Sequence, residues 1–248
     1  MNIKSILQQA EAYEHDLPEF PGGIEVEGKA IAGYLDSTIL KTEATLDQIF
    51  SLCEDAKKYN FAAVCVNPIF ATRVTRFLKG SEVKNCCVVG FPLGATPTSL
   101  KVTEAVYLLK EGVEEIDMVI PVGMLKTGMY GYVFDDIASV AAEAQKHKAH
   151  SKIILEMGLL TLKEKIIGCL LSKAAGADFV KTSTGMMAGG ATVEDVELMR
   201  RVVGKQMGVK AAGGIRTLAD AKAMLKAGAS RLGTSAAVKI ITEATGNG

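Results

Sequence analysis

Tryptophan is absent from the chain, and histidine occurs only three times, as His15, His147 and His150. His15 lies in the N-terminal segment, and the other two close a Lys/Ala-rich helical pattern that is typical of a solvated surface. A zinc site needs clustered histidine or cysteine ligands, and a Ser-His-Asp triad needs a histidine base. The sequence offers neither arrangement, so we expect no catalytic metal.

Neither sign of charge is in excess, because 28 Lys and Arg residues balance 28 Asp and Glu residues. This balance indicates neither nucleic-acid binding nor binding to an anionic membrane. No apolar run approaches the roughly 18 to 20 residues of a membrane span, and no signal-peptide pattern begins the chain. The nucleotide-binding patterns G-x-x-x-x-G-K-[ST] and strand-linked G-x-G-x-x-G are also missing, so no cofactor is predicted.

The five cysteines are odd in number and show no C-x-x-C spacing. Most of them lie in apolar or helical patterns, which is typical of reduced thiols. We therefore expect a cytoplasmic protein.

The length of 248 residues suits one (β/α)₈ barrel, and no linker or charge block divides the chain. Short apolar strands alternate with amphipathic helices, which predicts an α/β fold with a parallel sheet, and eight such units predict closure. The predicted strands are 31–35, 61–66, 86–89, 116–120, 153–155, two strands that end at Lys181 and Lys210, and 230–232. We expect a single-domain TIM barrel over 1–248, with residues 1–27 as a helical extension packed outside it.

A lysine follows a short apolar run at two places, Lys181 in ADFVKTSTG and Lys210 in MGVKAAGG. One such lysine is readily explained as a strand end whose charged head reaches water. The second follows about one βαβ unit later, again before a glycine-rich turn. The repetition favours a shared functional role.

Two neighbouring lysines can perform carbonyl chemistry. A free lysine, with a pKa near 10.4, is protonated at neutral pH and is not a nucleophile. A second ammonium at about 4 to 5 Å disfavours the charge by roughly 3 to 4 kcal/mol at an effective dielectric near 20. This repulsion lowers the pKa of one amine to between about 7 and 8, so that it can attack an aldehyde and form an imine.

The carboxyl ends of the predicted strands meet on one face of the barrel, where catalytic groups are expected. The residues at these ends are Asp36, Cys65, Asn67, Asp117, Met118, Glu156, Lys181, Lys210, Gly233, Thr234 and Ser235, most of which carry polar groups. Asp117 fits both a carboxylate that holds a water and the partner of a lysine. For Asp36, an active-site carboxylate and a helix cap or turn fit equally well.

Glycine-rich turns predict an anion site on the same face. Gly213 and Gly214 follow the seventh predicted strand, Gly233 and Ser235 follow the eighth, and Gly185 follows Lys181. In barrels of this kind, the loops after strands seven and eight hold phosphate groups. We therefore expect a small phosphorylated substrate.

Five stretches of the chain resemble the deoxyribose-phosphate aldolases. They are VCVNP at 64–68, VGFPLG at 89–94, EIDMVI at 115–120, KTSTG at 181–185 and KAAGGIR at 210–216. Members of this class I aldolase family interconvert 2-deoxy-D-ribose 5-phosphate with D-glyceraldehyde 3-phosphate and acetaldehyde, through a lysine Schiff base and without a metal. The resemblance, from about residue 35 to residue 239, implies this activity and a role in deoxyribose phosphate catabolism.

The resemblance also implies roles for individual residues. Lys181 falls on the imine-forming lysine, Lys210 on the lysine that perturbs it, and Asp117 on the acid that works with a bound water. Asp36 falls on a supporting carboxylate and Cys65 on a cysteine near the substrate. The residues expected to contact the substrate and its phosphate are Thr182, Gly185, Gly213, Gly214, Gly233 and Ser235.

The sequence departs from the family pattern at three places. Met186 stands where Phe or Lys is often found, and Ala236 stands where a second serine is common. The chain also ends without the tyrosine that helps proton transfer in some relatives. These departures place the phosphate contacts on Ser235 and backbone groups, and they predict a slower turnover with the chemistry intact.

Two other functions stay open at this point. One is another Schiff-base aldolase or a transaldolase, because loop shape sets the size of the substrate. The other is a non-enzymatic phosphosugar-binding barrel, although a binder gains nothing from two cations that repel each other. Related aldolases form dimers or larger assemblies, so the resemblance also implies a homodimer or homotetramer.

Overall fold

The computed structural model describes residues 2–187 and 189–246. Eight parallel strands close into a barrel in which each strand pairs with its neighbours in sequence order. The strands are β1 Leu35–Ile39, β2 Ala63–Val66, β3 Lys84–Val89, β4 Glu115–Val119, β5 His150–Ile154, β6 Phe179–Lys181, β7 Gly208–Ala212 and β8 Arg231–Thr234. The predicted α/β single-domain TIM barrel with an additional N-terminal helix is confirmed.

Helices connect the strands and surround the barrel. Within the described residues they are α1 Ile3–His15, α2 Leu46–Tyr59, α3 Ala71–Phe77, α4 Thr98–Lys110, α5 Val122–Lys126, α6 Tyr130–Lys146, α7 Leu162–Ala174, α8 Val193–Val203, α9 Leu218–Lys226 and α10 Ala237–Thr245. Threonine capping boxes begin α2, α7 and α9, where Thr45, Thr161 and Thr217 accept the N3 backbone N–H. None of the described helices is long and apolar enough to cross a membrane.

The first strand lies later in the chain than the sequence predicted. Residues 28–34 form a 3₁₀ helix instead, and β1 begins only at Leu35. The prediction followed the apolar run at 31–35, whereas β1 carries polar side chains because one of its faces points into a polar barrel interior. Asp36 therefore lies near the start of β1 and not after its end.

The N-terminal helix α1 packs on the outside of the barrel. Its buried residues Ile6 and Ala10 belong to the main apolar core, and Glu14 pairs with Lys163 of α7 at 3.2 Å. The outward side chains of the strands join the same core against the surrounding helices. The inward side chains are left to fill the barrel, and they include most of the buried charged residues described next.

Candidate active site

Lys181 and Lys210 face each other inside the barrel. They are paired across the β6–β7 ladder, and because neighbouring parallel strands carry paired residues on the same face, both side chains point inward. Each Nζ lies 2.7 Å from the same atom, Asp117 Oδ2. The two nitrogens are therefore no farther apart than twice that distance, and the structure brings together the lysine pair predicted from the sequence.

Asp117 on β4 is the centre of the cluster. Its Oδ2 accepts from Lys181 and Lys210, and its Oδ1 accepts from Lys152 Nζ on β5 at 2.9 Å. Burial alone raises the pKa of this carboxyl, but the three ammonium groups outweigh burial and hold the pKa of Asp117 well below its usual value. Asp117 is therefore a carboxylate throughout the working pH range.

Two further carboxylates complete the network. Asp36 contacts Lys210 Nζ at 2.6 Å and Arg231 at 2.7 Å, and Glu115 contacts Lys152 Nζ at 2.6 Å and Arg231 at 2.9 Å. Burial raises the pKa of Asp36, but Lys210, Arg231 and Lys152 together lower it to about 2. Burial lowers the pKa of Lys210, but attraction to Asp117 and Asp36 prevails and raises it well above its ordinary value. Lys210 is thus a permanent cation.

The network holds one more cation than anion. Among the described residues, four cations (Lys152, Lys181, Lys210 and Arg231) meet three carboxylates (Asp36, Glu115 and Asp117). Three of the cations contact two carboxylates each. Lys181 contacts only Asp117, which it shares with Lys152 and Lys210. Lys181 is therefore the cation with the weakest compensation.

Two thiols lie beside Asp117. Cys65 Sγ is 3.9 Å from Oδ2, and Cys86 Sγ is 3.2 Å from Oδ1 and 3.4 Å from Lys152 Nζ. A hydrogen bond from Cys86 lowers the pKa of the Cys65 thiol below its ordinary value, whereas burial raises the pKa of Cys86 well above it. These two thiols and Asp117 could together ligate a metal ion. However, the oxygens of Asp117 already accept from three ammonium groups, so we assign no metal here.

A cavity of about 580 Å³ opens above Lys181 at the carboxyl end of the barrel. It reaches five of the residues predicted to contact the substrate, which are Gly185, Gly213, Gly214, Gly233 and Ser235. The other charged side chains in its wall are Lys41 and Arg216, and the described wall contains no carboxylate. The cavity is therefore suited to an anionic ligand.

Glycine is required at the point where two loops of the cavity meet. Gly213 has φ +88°, and a Cβ there would lie 3.0 Å from the Cα of Gly190 in the loop after β6. A side chain would push the two loops apart and would strain the backbone. The close approach of these loops thus depends on Gly213.

The remaining predicted residues occupy other positions. Thr182 does not line the cavity, because it is fully buried and its hydroxyl donates to Ala212 O at 3.1 Å on β7. Met186 is 44% exposed at the cavity wall. The backbone N–H of Ala236 donates to Thr234 Oγ1 at 2.9 Å. The prediction about a missing C-terminal tyrosine concerns a tail whose last two residues lie outside the described residues.

Sequence reasoning missed three members of the network, Lys152, Glu115 and Arg231. The fifth strand is predicted at residues 153–155, which leaves Lys152 outside it, although β5 begins at His150. Lys152 pairs with Asp117 across the β4–β5 ladder, and Arg231 pairs with Lys210 across the β7–β8 ladder. The sequence signal that could have found two of them is the period of two along a strand, which places alternate side chains on one face. Glu115 therefore shares the inward face of its strand with Asp117, and Lys152 shares that of its strand with Ile154.

Comparison with known proteins places the chain in a family. The model of the DeoC/LacD family aldolases matches residues 30–242. This protein belongs to the DeoC/LacD family of aldolases. Its fold and the resemblance predicted from the sequence are thereby confirmed.

Individual relatives agree with this assignment. The chain is 54% identical, over 86% of its length and 93% of the relative, to the deoxyribose-phosphate aldolase of Caldanaerobacter subterraneus subsp. tengcongensis. It is 55% identical, over 86% of its length and 96% of the relative, to that of Thermococcus gammatolerans. Among solved structures, the tetrameric deoxyribose phosphate aldolase of Aeropyrum pernix superposes with a TM-score of 0.83 at 31% identity, covering 98% of each chain. A Coccidioides immitis crystal structure gives a TM-score of 0.92 at 41% identity, also over 98% of each chain.

Proposed function

We propose that this protein cleaves 2-deoxy-D-ribose 5-phosphate reversibly to D-glyceraldehyde 3-phosphate and acetaldehyde, through an imine on Lys181. The observation that carries the proposal is the position of Lys181. It is the one amine of the described network that both lines the cavity and has a single, shared carboxylate partner. The names of the relatives, which are more than 50% identical to this chain, support the substrate.

Charge balance explains how Lys181 becomes nucleophilic. Two ammonium groups about 5 Å apart repel by about 3 kcal/mol at an effective dielectric of 20. Loss of one proton removes the excess charge of the network, and Lys181 has the fewest contacts that oppose this loss. Lys210 keeps its proton because Asp36 and Asp117 both attract it. The neutral amine of Lys181 can then attack a carbonyl carbon.

The reaction follows from this arrangement. Lys181 Nζ adds to the C1 aldehyde of the open-chain sugar, and loss of water gives a protonated imine. Removal of the proton from the C3 hydroxyl breaks the C2–C3 bond, and the bonding electrons move to the imine nitrogen. D-Glyceraldehyde 3-phosphate leaves, the enamine is protonated at C2, and hydrolysis releases acetaldehyde. Asp117, which is always ionised, orients Lys181 and holds the water that carries protons.

The glycine-rich part of the cavity would hold the phosphate. Gly185, Gly213, Gly214, Gly233 and Ser235 surround it on the side of β6 to β8. The cations Lys41 and Arg216 at the rim would attract a doubly charged group to this end. The phosphate is thereby placed at a distance from Lys181, so that C1 of the sugar reaches the amine.

Reductive trapping tests the proposal. Incubation with acetaldehyde and borohydride, followed by peptide mass mapping, is expected to give one ethylated peptide, with the adduct on Lys181. Lys101→Met, which removes a buried lysine outside the barrel, is the matched control and should still be trapped at Lys181. No adduct, or an adduct on another lysine, would contradict the mechanism.

A substrate panel separates this activity from the two alternatives. The expected result is acetaldehyde release from 2-deoxy-D-ribose 5-phosphate and no cleavage of hexose or ketose phosphates. Preference for a ketose phosphate would favour another Schiff-base aldolase or a transaldolase. Binding without cleavage of any sugar phosphate would favour a non-enzymatic barrel.

The proposal includes a homo-oligomer in the cytoplasm. The tetrameric Aeropyrum pernix relative supports self-association, as do large apolar side chains that are at least half exposed, such as Ile69, Leu93 and Leu100. The free state of all five cysteines supports a reducing compartment. Light scattering of the purified protein would decide between monomer, dimer and tetramer.

A further inference from the structure

Cys65 and Cys86 form a dithiol inside the barrel. They are directly paired across the β2–β3 ladder, and both side chains point toward Asp117. The two sulfur atoms and an oxygen of Asp117 all lie within 4.8 Å of one another. One thiophilic atom could therefore bond to both sulfurs after small side-chain rotations.

The dithiol shares neighbours with the residues that line the substrate cavity. Leu40 lines that cavity and packs in one apolar cluster with Cys65 and Cys86. Lys181, which also lines the cavity, contacts the Asp117 carboxylate that both thiols approach. The dithiol is therefore connected to the cavity through Leu40 on one side and through Asp117 and Lys181 on the other.

The charge of the cavity selects the class of ligand that can reach them. Lys41, Lys181 and Arg216 line it without a carboxylate in its described wall. Such a wall repels divalent metal cations, including the soft ones that prefer thiolates. An uncharged thiophile enters without this electrostatic barrier.

We infer that Cys65 and Cys86 form a binding site for uncharged trivalent arsenic, whose occupation shuts off the lysine chemistry. Arsenous acid, As(OH)₃, reacts with the two thiols to give one As–OH group bonded to both sulfurs. Two As–O bonds break, two As–S bonds form, and the thiol protons leave with the hydroxyl groups as two water molecules. No electrons are transferred, and the charge of the network does not change.

The bound arsenic would stop imine formation for a steric reason. It would lie beside Asp117, which contacts Lys181 at 2.7 Å, and would crowd the amine that an aldehyde has to reach. The inhibition part of this inference rests on the proposed aldolase function. The binding part does not, because it depends only on the two thiols.

The residue after Cys86 on the same strand provides a matched control. Cys87 is the next residue of β3 and is equally buried, but it points to the opposite face and belongs to the outer apolar core. Cys87→Ala therefore removes a buried thiol of the same strand without touching the dithiol. Cys86→Ala and Cys65→Ser each leave a single thiol in the barrel.

Native mass spectrometry after incubation with arsenite, and removal of the excess, tests the binding. The wild-type protein and Cys87→Ala should each retain one arsenic per chain and release it to a competing small dithiol. Cys86→Ala and Cys65→Ser should retain none. Because two linked bonds strengthen binding by on the order of 100-fold or more over one, either variant should raise the half-inhibitory arsenite concentration by about that factor.

Arsenic retention and enzyme inhibition are measured separately, so failure of the binding part can be told apart from failure of the inhibition part. Retention of arsenic by both single-thiol variants, or no retention by the wild type, would overturn the inference whatever the enzyme does. Retention of one arsenic with full imine trapping would overturn the inhibition part alone. Stronger inhibition by Cd²⁺ than by arsenite would contradict the role of the positively charged cavity.

Discussion

Two buried lysine–aspartate contacts in this protein differ in their charge balance. Lys101 and Asp136 form a closed pair between α4 and α6, with Nζ–Oδ2 at 2.7 Å, and the remaining contacts are Val119 O and Thr98 Oγ1. Lys181 instead shares Asp117 with two other ammonium groups. Both lysines are buried, but only the second belongs to a network with an unbalanced positive charge. The comparison predicts that burial alone does not make a lysine reactive, whereas a shared counter-ion beside a cavity does.

Removal of the reactive amine should have the largest effect. Lys181→Met is expected to lower kcat/KM by on the order of 10⁵-fold or more, the scale found when a covalent nucleophile is lost. The variant should remain folded, because Asp117 keeps Lys152 and Lys210 as partners when Lys181 is lost. Steady-state kinetics together with circular dichroism check this, and substantial residual turnover would contradict the role of Lys181.

Neutralising the shared carboxylate should affect both activity and stability. Asp117→Asn leaves the ammonium groups of Lys152 and Lys210 beside an uncharged amide, and breaking a buried ion pair in this way costs about 3 to 5 kcal/mol. The proposed role of Asp117 in holding a water also predicts a fall in kcat of about 10²- to 10⁴-fold. Chemical denaturation and kinetics measure the two effects separately. A stable and active Asp117→Asn enzyme would show that the network does not depend on this residue.

Breaking the closed pair should affect stability alone. Lys101→Met leaves Asp136 buried without its cation, which should cost about 3 to 5 kcal/mol of unfolding free energy. The activity of the folded fraction should change little, because the pair contacts neither the cavity nor the network. The double variant Lys101→Met/Asp136→Leu should recover much of the lost stability. A large fall in kcat of folded Lys101→Met would remove the contrast between the two regions.

The smallest expected effect is the dependence of stability on acid. The folded pKa of Asp36 is about 2, against an ordinary value near 3.8. Because the folded value is the lower one, the stabilisation is complete above pH 4 and is lost as the pH falls toward 2. It amounts to about 2 kcal/mol. Urea unfolding between pH 5 and pH 2 should show this loss, and Asp36→Asn should have a shallower dependence over the same range.

Much of the fold and the centre of the site were predictable from the sequence. Parallel strands alternate with helices in a regular way, and Lys181, Lys210 and Asp117 each stand on a recognisable apolar strand. Asp36 and Lys152 show where pattern reasoning fails. Both lie on strands whose inward face is polar, so the apolar-run signal moved β1 to residues 31–35 and delayed β5 to residue 153. The charge balance of the network could not be counted without Lys152, Glu115 and Arg231, whose positions follow from the strand registers and from the ion pairs of Glu115.

The central claim is that Lys181 is the reactive amine of the network because its one carboxylate partner is shared and Lys210 lies beside it. The most direct test is the rate of borohydride-trapped imine formation at Lys181 as a function of pH, in the wild type and in Lys210→Met. Removal of Lys210 leaves three cations to three carboxylates, so the repulsion that makes Lys181 the reactive amine should be lost. The pH of half-maximal trapping should then rise, with slow trapping at neutral pH that recovers in alkaline buffer. An unchanged pH profile in Lys210→Met would contradict the account.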